Sequence, residues 1–315
     1  MSATRWRLDG LAFTIALEAM DRDRLPYPLS YQPEFMERLS DFERLRQRRA
    51  RELQAVFDER LYKALTVLLE PQVRIEIHGF YGPDLSRVVR MHAGIVDRIA
   101  TLAIQQHGPT RDHGLDIVVG ECHADTLVTD IAANLPQSRG GTHPAFSARR
   151  SDLDHPIYSR HPTPLSPTEE INQFLRRPHT STGEITVYPG IAYDARPTDD
   201  GHPFIWLDYP DDGRYLLHNH NQNDFTIAPG PSQELMHHSK AVSTPSSIAE
   251  REPPPDNPTA TTTSASRSGQ RATKAPGESP HVPSATGYRP AARTLMASRE
   301  MRTSYSPGVA MTALP

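Results

Sequence analysis

Two groups of short segments with alternating apolar residues occur along the chain, and within each group no helical segment separates one from the next. In the first group Val73, Ile75 and Ile77 alternate with polar residues, which is typical of a strand with one buried face. The predicted strands are 73–78, 87–92, 98–105 and 115–120 in the first group, and 185–193, 203–208, 214–220 and 224–228 in the second. Parallel strands need a long crossover between them, whereas consecutive strands joined by short turns pair antiparallel. This order predicts an α+β fold with a central, mostly antiparallel β-sheet rather than a doubly wound parallel sheet.

Helical segments flank each group of strands. Asp9 is placed to cap a first helix that continues to Met20. Ser40 and Glu43 have the spacing of a capping box, and apolar residues then recur every three or four positions as far as Leu68, which predicts one long amphipathic helix. Further helices are predicted at 124–135, after Ser166 and after Pro231. The order helix, four strands, helix therefore occurs twice, without obvious residue identity between the two halves.

The apolar residues are concentrated in residues 1–242, which predicts one folded domain there. Residues 136–165 mix Gly, Ser, His, Arg and Pro without periodicity, and we expect a loop or linker between the two halves. Residues 243–315 are rich in Ser, Thr, Ala and Pro, and we expect a disordered tail.

The sequence also indicates a cellular compartment. Cys122 is the only cysteine among 315 residues, so no disulfide can form within the chain. No run of about 18 apolar residues is present, and charged residues interrupt the first apolar stretch, so we expect neither a signal peptide nor membrane insertion. We therefore expect a cytoplasmic protein. The net charge of −4 argues against a protein that binds nucleic acid by electrostatic attraction.

Two fragments could carry chemistry. The first is the run 121–125, Glu-Cys-His-Ala-Asp, where a predicted strand passes into a helix; Cys122 could act as a nucleophile there, or the carboxylates and His123 could bind a metal. The second is the pair His218 and His220, which share one strand face. A metal- or Cys-dependent hydrolase is thus one alternative. Helix capping by His123 or Asp125 explains the first fragment equally, and nothing fixes a third metal ligand for the second.

A run of arginines supports a second alternative, an Arg-rich nucleic-acid-binding protein. The run comprises Arg44, Arg46, Arg48, Arg49 and Arg51. Acidic residues surround the run at helical spacing, so ion pairs on a solvated helix face are the simpler explanation.

Large apolar side chains also occur where a turn is predicted. Phe80, Tyr81 and Leu85 lie in or beside the turn that follows the first strand, and an exposed apolar patch of this kind marks a contact surface. The alternative is that the turn folds back onto the domain. The strand aromatics Phe204, Trp206, Tyr215 and Phe225 are instead expected in the core.

Several short stretches carry a family resemblance through their order and spacing. They are 6–11 with 25–29, the helix end Leu69-Glu70-Pro71 before the strand 73–77, Leu135-Pro136 before the loop, and the C-terminal set 183–187, Asp208, 213–216 and Pro229. Together these stretches resemble the ESX secretion-associated protein EspG family of actinobacterial type VII secretion, over about residues 5–242.

The resemblance implies a fold and a function. Members of the family are cytosolic chaperones that bind the apolar tip of a PPE protein in its PE–PPE heterodimer and deliver it to the type VII secretion system. Their sheet has two halves related by a pseudo-two-fold axis and is flanked by helical bundles. The implied client is a PPE-type or related helical export substrate. The resemblance implies that the chain itself has no enzymatic activity and binds no cofactor or metal. The implied binding residues are Phe80, Tyr81, Gly82 and Leu85 in a strand-connecting loop, and Leu235 and Met236 in the C-terminal bundle.

Overall fold

Residues 4–33, 35–154, 166–192 and 198–230 are described by the computed structural model. The strands are β1 Arg5–Leu8, β2 Val73–Tyr81, β3 Arg87–Val96, β4 Ile99–His107, β5 Gly114–His123, β6 Phe146–Arg149, β7 Ser181–Pro189, β8 His202–Tyr209, β9 Gly213–Asn219 and β10 Asp224–Pro229. The helices are α1 Gly10–Glu18, α2 Leu39–Val56, α3 Glu59–Leu69, α4 Ala124–Asn134, α5 Arg150–Asp154 and α6 Pro167–Leu175. A single 3₁₀ turn, Pro83–Leu85, lies between β2 and β3.

All these strands belong to one sheet, in the order β1-β5-β4-β3-β2-β7-β8-β9-β10-β6. Every pair of neighbouring strands is antiparallel. β2 and β7 meet at the centre, where Ile77 lies opposite Ile185. Reading outwards from this pair, the two halves repeat the same strand order, with β3 matching β8 and β1 matching β6. The prediction of an α+β fold with a central antiparallel sheet and two matched halves is therefore confirmed.

Two apolar cores hold helices against the sheet. On one face, Ile75 and Ile77 of β2 belong to a buried cluster with Leu127 and Ile131 of α4. The second cluster joins α1 and α3 to the outer strands of the first half, and Phe13 at its centre is fully buried. α1 and α3 thus cover the outer strands of the first half on the face opposite α4. On that face they do not cover all of the central strands.

The long helix predicted over 40–68 is wrong, because α2 and α3 are separate helices. α2 starts at Leu39 with no side-chain cap, so Ser40 and Glu43 do not form the predicted capping box. Phe57 is extended, and the Asp58 carboxylate accepts a 2.8 Å hydrogen bond from the backbone N–H of Leu61. An aspartate at this position starts a new helix because it satisfies a free N–H of the first turn. The caps predicted for α1 by Asp9 and for α6 by Ser166 with Glu169 are confirmed.

Both edge strands lie where no strand was predicted. β1 precedes the first predicted helix, and β6 lies inside the predicted loop 136–165, so that expectation is wrong for residues 146–154. Each edge strand pairs on one side only and is four residues long, so its sequence needs little alternation. Residues 155–165, the helix predicted after Pro231 and the tail 243–315 lie outside the described residues.

Candidate docking surface

The loop between β2 and β3 has an unusual backbone. Gly82 has φ of 79°, and Asp84 and Leu85 both have φ of 52°. Residues other than glycine rarely adopt this left-handed conformation, and a bulky residue such as leucine does so at a cost of about 1–2 kcal/mol. The loop is tied to the second half by a 3.1 Å hydrogen bond from the Gly82 N–H to the Thr180 carbonyl oxygen. Strained backbone of this kind concentrates at binding and switch sites.

Phe80 and Tyr81 point to opposite faces of the sheet because successive side chains of a strand alternate. Tyr81 packs against the core cluster that contains Ile77, and its ring centroid lies 6.2 Å from that of His107. Phe80 and Leu85 are half-buried. The structure therefore divides the predicted patch between two faces: Tyr81 is half-buried against the core cluster, whereas Phe80 lies half-buried on the opposite face.

Aromatic and cationic side chains surround Phe80. The edge of the His78 ring meets the Phe80 ring with 5.1 Å between centroids, and the Tyr27 ring is 5.7 Å from that of His78. Arg111 places its guanidinium carbon 5.2 Å from the centroid of the Phe80 ring, which is within range of a cation–π contact. Its Nη2 donates a 3.1 Å hydrogen bond to the carbonyl oxygen of Asp84. Tyr27 is 51% exposed, so this row of rings reaches the surface.

The same face of the central strands is polar farther along β2. Arg74 donates a 2.7 Å hydrogen bond from Nε to Oε1 of Glu76, and its guanidinium carbon lies 4.3 Å from the centroid of the Tyr188 ring. Burial raises the pKa of Glu76 to about 7, and Glu184 acts in the same direction, while Arg74 opposes both. The Arg74 guanidinium also donates to the carbonyl oxygen of Gly190 and to the Thr198 hydroxyl, so this strip ties β2 to the segment after β7.

A cleft of about 230 Å³ opens beside the Arg74–Glu76 pair. Its walls are the segment after α1, the end of α3, and Ile191 with Ala192. His92 lies at its floor with Nδ1 2.7 Å from the carbonyl oxygen of Tyr27, and burial lowers the pKa of His92 to about 4. His92 is therefore neutral at pH 7.

The C-terminal set of motif residues forms a buried polar pair. Asp208 and Arg214 face each other across the β8–β9 hairpin, and their side chains are 2% and 0% exposed. Nε and Nη2 of Arg214 each donate a 2.7 Å hydrogen bond to a different carboxylate oxygen, and Nη2 also donates to the carbonyl oxygen of Pro136 at 2.6 Å. This two-point contact fixes the hairpin and the segment after α4, so these motif residues are structural.

Asp212 orders part of the predicted loop. Its carboxylate accepts hydrogen bonds from the N–H and hydroxyl of Thr142, from Arg177 and from the Tyr215 hydroxyl. Burial alone would raise the pKa of Asp212, but these hydrogen bonds outweigh it and hold the pKa well below its usual range. The segment before β6 and the end of α6 are thereby held against β9.

Gly183 belongs to the same motif set and has a packing role. Gly79 and Gly183 lie opposite each other on β2 and β7, and the Trp206 ring lies over both. An added Cβ at Gly79 would lie 2.5 Å from that ring. Trp206 is fully buried and donates a 2.8 Å hydrogen bond from Nε1 to the Ser181 hydroxyl. The strand aromatics are core residues, as predicted: Phe204, Trp206, Tyr215 and Phe225 are all at most 3% exposed.

The 121–125 fragment does not form a reactive centre. His123 caps α4 by accepting from the Asp125 N–H, and Glu121 forms a 2.8 Å ion pair with Arg60. Burial raises the pKa of Cys122 to about 12, so its thiol stays protonated at pH 7 and packs beside the core. The side chains of this fragment are thus engaged in capping, ion pairing and packing.

The histidine pair and the arginine run also have structural roles. The His218 ring stacks on Phe204 with 4.8 Å between centroids, and His220 hydrogen-bonds to the Thr226 hydroxyl at 2.7 Å. Within the described residues, no group of three or more His, Cys, Asp or Glu side chains is placed to hold a metal ion. In the arginine run, Arg46 pairs with Glu18, and Arg49 pairs with Asp9 and Glu52, as expected for a solvated helix face.

The residues of the candidate surface were only partly found from the sequence. Leu235 and Met236 lie outside the described residues. The sequence did not predict a role for Tyr27, His78 or Arg111, although His78 and Arg111 contact Phe80 and Tyr27 contacts His78. The sequence signal for His78 was weak: a polar residue in an alternating strand normally faces solvent, and the two other residues come from distant segments.

Comparisons with known proteins give one family. The EspG family model matches residues 9–239. One similar solved structure is that of the Mycobacterium tuberculosis type VII secretion system chaperone EspG5 in complex with a PE25–PPE41 dimer; the TM-score is 0.49, the identity is 12%, and the match covers 76% of this chain and 95% of that chain. No curated protein matches the sequence. Among the described residues, none of the helices combines the length and the apolar character needed to cross a membrane.

Proposed function

The chain belongs to the EspG family, and we propose that it is a cytoplasmic type VII secretion chaperone that binds the apolar tip of a PPE-type helical client and delivers it to the secretion apparatus. The observation that carries this proposal is the family match, which spans residues 9–239 and therefore includes every strand from β2 to β10. EspG5 was solved in complex with a PE25–PPE41 dimer, and a client of the same class is proposed for this chain.

We place the client on a docking surface made of Phe80, Tyr81, Gly82 and Leu85 of the β2–β3 loop, together with Leu235 and Met236. Phe80, Tyr81 and Leu85 are all partly accessible, and Tyr81 also packs against the core cluster. A few apolar anchors beside a polar rim are sufficient for reversible protein binding, because a small number of residues supplies most of the binding energy.

The backbone of the loop supports this role. Three of its residues have left-handed φ values, so the position of Leu85 is set before any partner arrives. A pre-set anchor loses little conformational freedom on binding, which improves affinity without additional contacts. The client-covering role needs no reactive group, because burying an apolar tip is enough to prevent its association.

The test uses Leu85→Asn. Asparagine tolerates the left-handed conformation and removes the apolar side chain, so the loop keeps its shape. We expect binding of a purified PE–PPE dimer from the same host to weaken about tenfold, the loss of about 1.4 kcal/mol typical of one interface anchor. Biolayer interferometry measures the affinity, and circular dichroism checks the fold.

The matched control is Ile99→Asn. Ile99 is 57% exposed and lies at the β3–β4 turn, at the opposite end of β3 from the loop. We expect its affinity for the dimer to equal that of the wild-type protein. If Leu85→Asn binds as tightly as Ile99→Asn, the β2–β3 loop is not part of the docking surface.

A further inference from the structure

Arg90 has an unusual environment for a charged side chain. It is 6% exposed, and Nη2 donates to the backbone carbonyl oxygen of Arg111. Nη1 is buried and has no hydrogen-bond acceptor among the described residues. Buried polar atoms in native proteins are nearly always paired, and an unpaired one costs about 1–3 kcal/mol. A guanidinium nitrogen without an acceptor therefore indicates a position where a bound ligand that supplies an acceptor would lower the free energy of the folded protein.

A second arginine lies beside it at the surface. Arg111 is exposed, and its guanidinium rests over the Phe80 ring and donates to the carbonyl oxygen of Asp84. Within the described part of the chain, neither Arg90 nor Arg111 has a carboxylate oxygen within 4.0 Å, whereas Arg74 and Arg214 are both ion-paired. Two neighbouring arginines without a carboxylate are characteristic of a site that binds an oxyanion.

Two aspartates lie close to this pair in the sequence. The nearest acidic residues along the chain are Asp84 and Asp112, and Asp112 is the carboxylate that acts on Arg90. Arg87 lies over the Tyr81 ring on the opposite face of the sheet, so the region around the pair carries two arginines and two aspartates. Residues 1–242 as a whole carry 26 basic and 33 acidic residues, a net charge of −7, so this region is less acidic than the domain around it.

We propose that Arg111 and Arg90 form an anion-binding subsite for a carboxylate of the client, an Asp or Glu side chain next to the apolar tip that covers Phe80 and Leu85. This inference rests on the proposed function and assigns chemistry to the same docking surface. Arg111 makes the direct two-point contact, and Arg90 supplies a second positive charge beneath it. Burial lowers the pKa of the Arg90 guanidinium, and an incoming carboxylate relieves that cost.

A single carboxylate fits better than a polyanion. The apolar rings of Phe80 and Tyr27 border the arginines, so the subsite favours a partner that is apolar around its charge. A nucleic acid carries a charge at every phosphate, and an acidic domain repels a long strand of such charges.

The test compares Arg111→Gln with Arg98→Gln in binding to the purified PE–PPE dimer. Arg98 is exposed at the β3–β4 turn, so its substitution makes the same change of charge away from the loop. We expect Arg111→Gln to weaken binding about tenfold and to make the affinity less dependent on salt, because one ion pair is lost. Arg98→Gln should bind like the wild-type protein, and both variants should unfold at the wild-type temperature.

A charge swap separates a direct contact from a structural effect. Arg111→Glu should weaken binding about a hundredfold, and replacing one tip carboxylate of the client by lysine should restore at least tenfold. Equal affinity of Arg111→Gln and Arg98→Gln, or no restoration by lysine at any tip carboxylate, overturns the subsite while leaving the chaperone role intact. Failure of the wild-type protein to bind the dimer overturns both. Displacement of the dimer by a 20-nucleotide single-stranded DNA reassigns the arginines to a polyanion and also overturns the subsite.

Discussion

Replacing Arg214 by methionine tests the buried pair that holds the second half of the sheet together. Arg214 is fully buried, and the Asp208 side chain is 2% exposed, so solvent cannot take over the role of the missing guanidinium. The substitution leaves a buried carboxylate without its two hydrogen bonds and removes the donor to the Pro136 carbonyl oxygen. Removing one partner of a buried ion pair costs about 3–5 kcal/mol, because an uncompensated charge remains. We expect a loss of about 4 kcal/mol in the free energy of unfolding.

Urea unfolding followed by tryptophan fluorescence measures this loss. With an m-value of about 2–3 kcal/mol per molar, a loss of about 4 kcal/mol lowers the midpoint by about 1.3–2 M. The matched control is Arg7→Met, which breaks the ion pair with Asp116; those side chains are 61% and 36% exposed. An exposed pair contributes less than about 1 kcal/mol, so the control midpoint should move by less than about 0.5 M.

The double variant Asp208→Leu/Arg214→Met completes the cycle. Without a buried charge it should recover at least about 2 kcal/mol relative to Arg214→Met, with the unpaired Pro136 carbonyl accounting for part of the remaining loss. Two results would refute the assignment of this pair as a structural unit. One is a midpoint for Arg214→Met close to that of Arg7→Met. The other is a loss of unfolding free energy in the double variant that exceeds the sum of the losses in the two single variants.

Two further predictions concern the centre of the sheet and the start of β9. Gly79→Ala places a Cβ 2.5 Å from the Trp206 ring and should lower the free energy of unfolding by at least about 2 kcal/mol, whereas Gly120→Ala, whose nearest contact is 3.5 Å, should be neutral in the same urea assay. The lowered pKa of Asp212 gives stability that is present above the unfolded-state pKa near 4 and is lost as the pH falls through the folded-state value. Asp212→Asn should therefore unfold more easily at pH 7 and should lose less stability than the wild-type protein between pH 4 and pH 2, in thermal melts from pH 2 to pH 7.

The central strands were predictable because their side chains alternate between a buried face and a polar face. Ile75 and Ile77 on β2 and Ile185 on β7 give this signal directly, and consecutive strands joined by short turns determine the antiparallel arrangement. The edge strands were not predictable, because β1 and β6 are ordered by their partners more than by their own sequence. The break between α2 and α3 carried a signal in Asp58, which is a good helix cap inside an apolar repeat.

The candidate surface was predictable only where the sequence departs from the usual composition of a turn. Phe80 and Leu85 stood out because large apolar residues are unusual at a turn. Arg90 and Arg111 gave no such signal, since an arginine in an alternating strand or a loop normally faces solvent. The burial of Arg90 results from the packing of segments far apart in the chain, which no local sequence pattern encodes.

The junction of β2 with β7 has a consequence for the nascent chain. The two strands are separated by about a hundred residues, yet they form one continuous nine-residue ladder, from Val73 opposite Pro189 to Tyr81 opposite Ser181. At a synthesis rate of about 5–20 residues per second, β7 is completed at least about 5 seconds after β2. During this time the backbone N–H and C=O groups of β2 that face β7 have no partner strand. An unpaired strand edge of this length is a template for pairing with other chains. The nascent protein is therefore itself exposed to aggregation until β7 has been synthesised and pairs with β2.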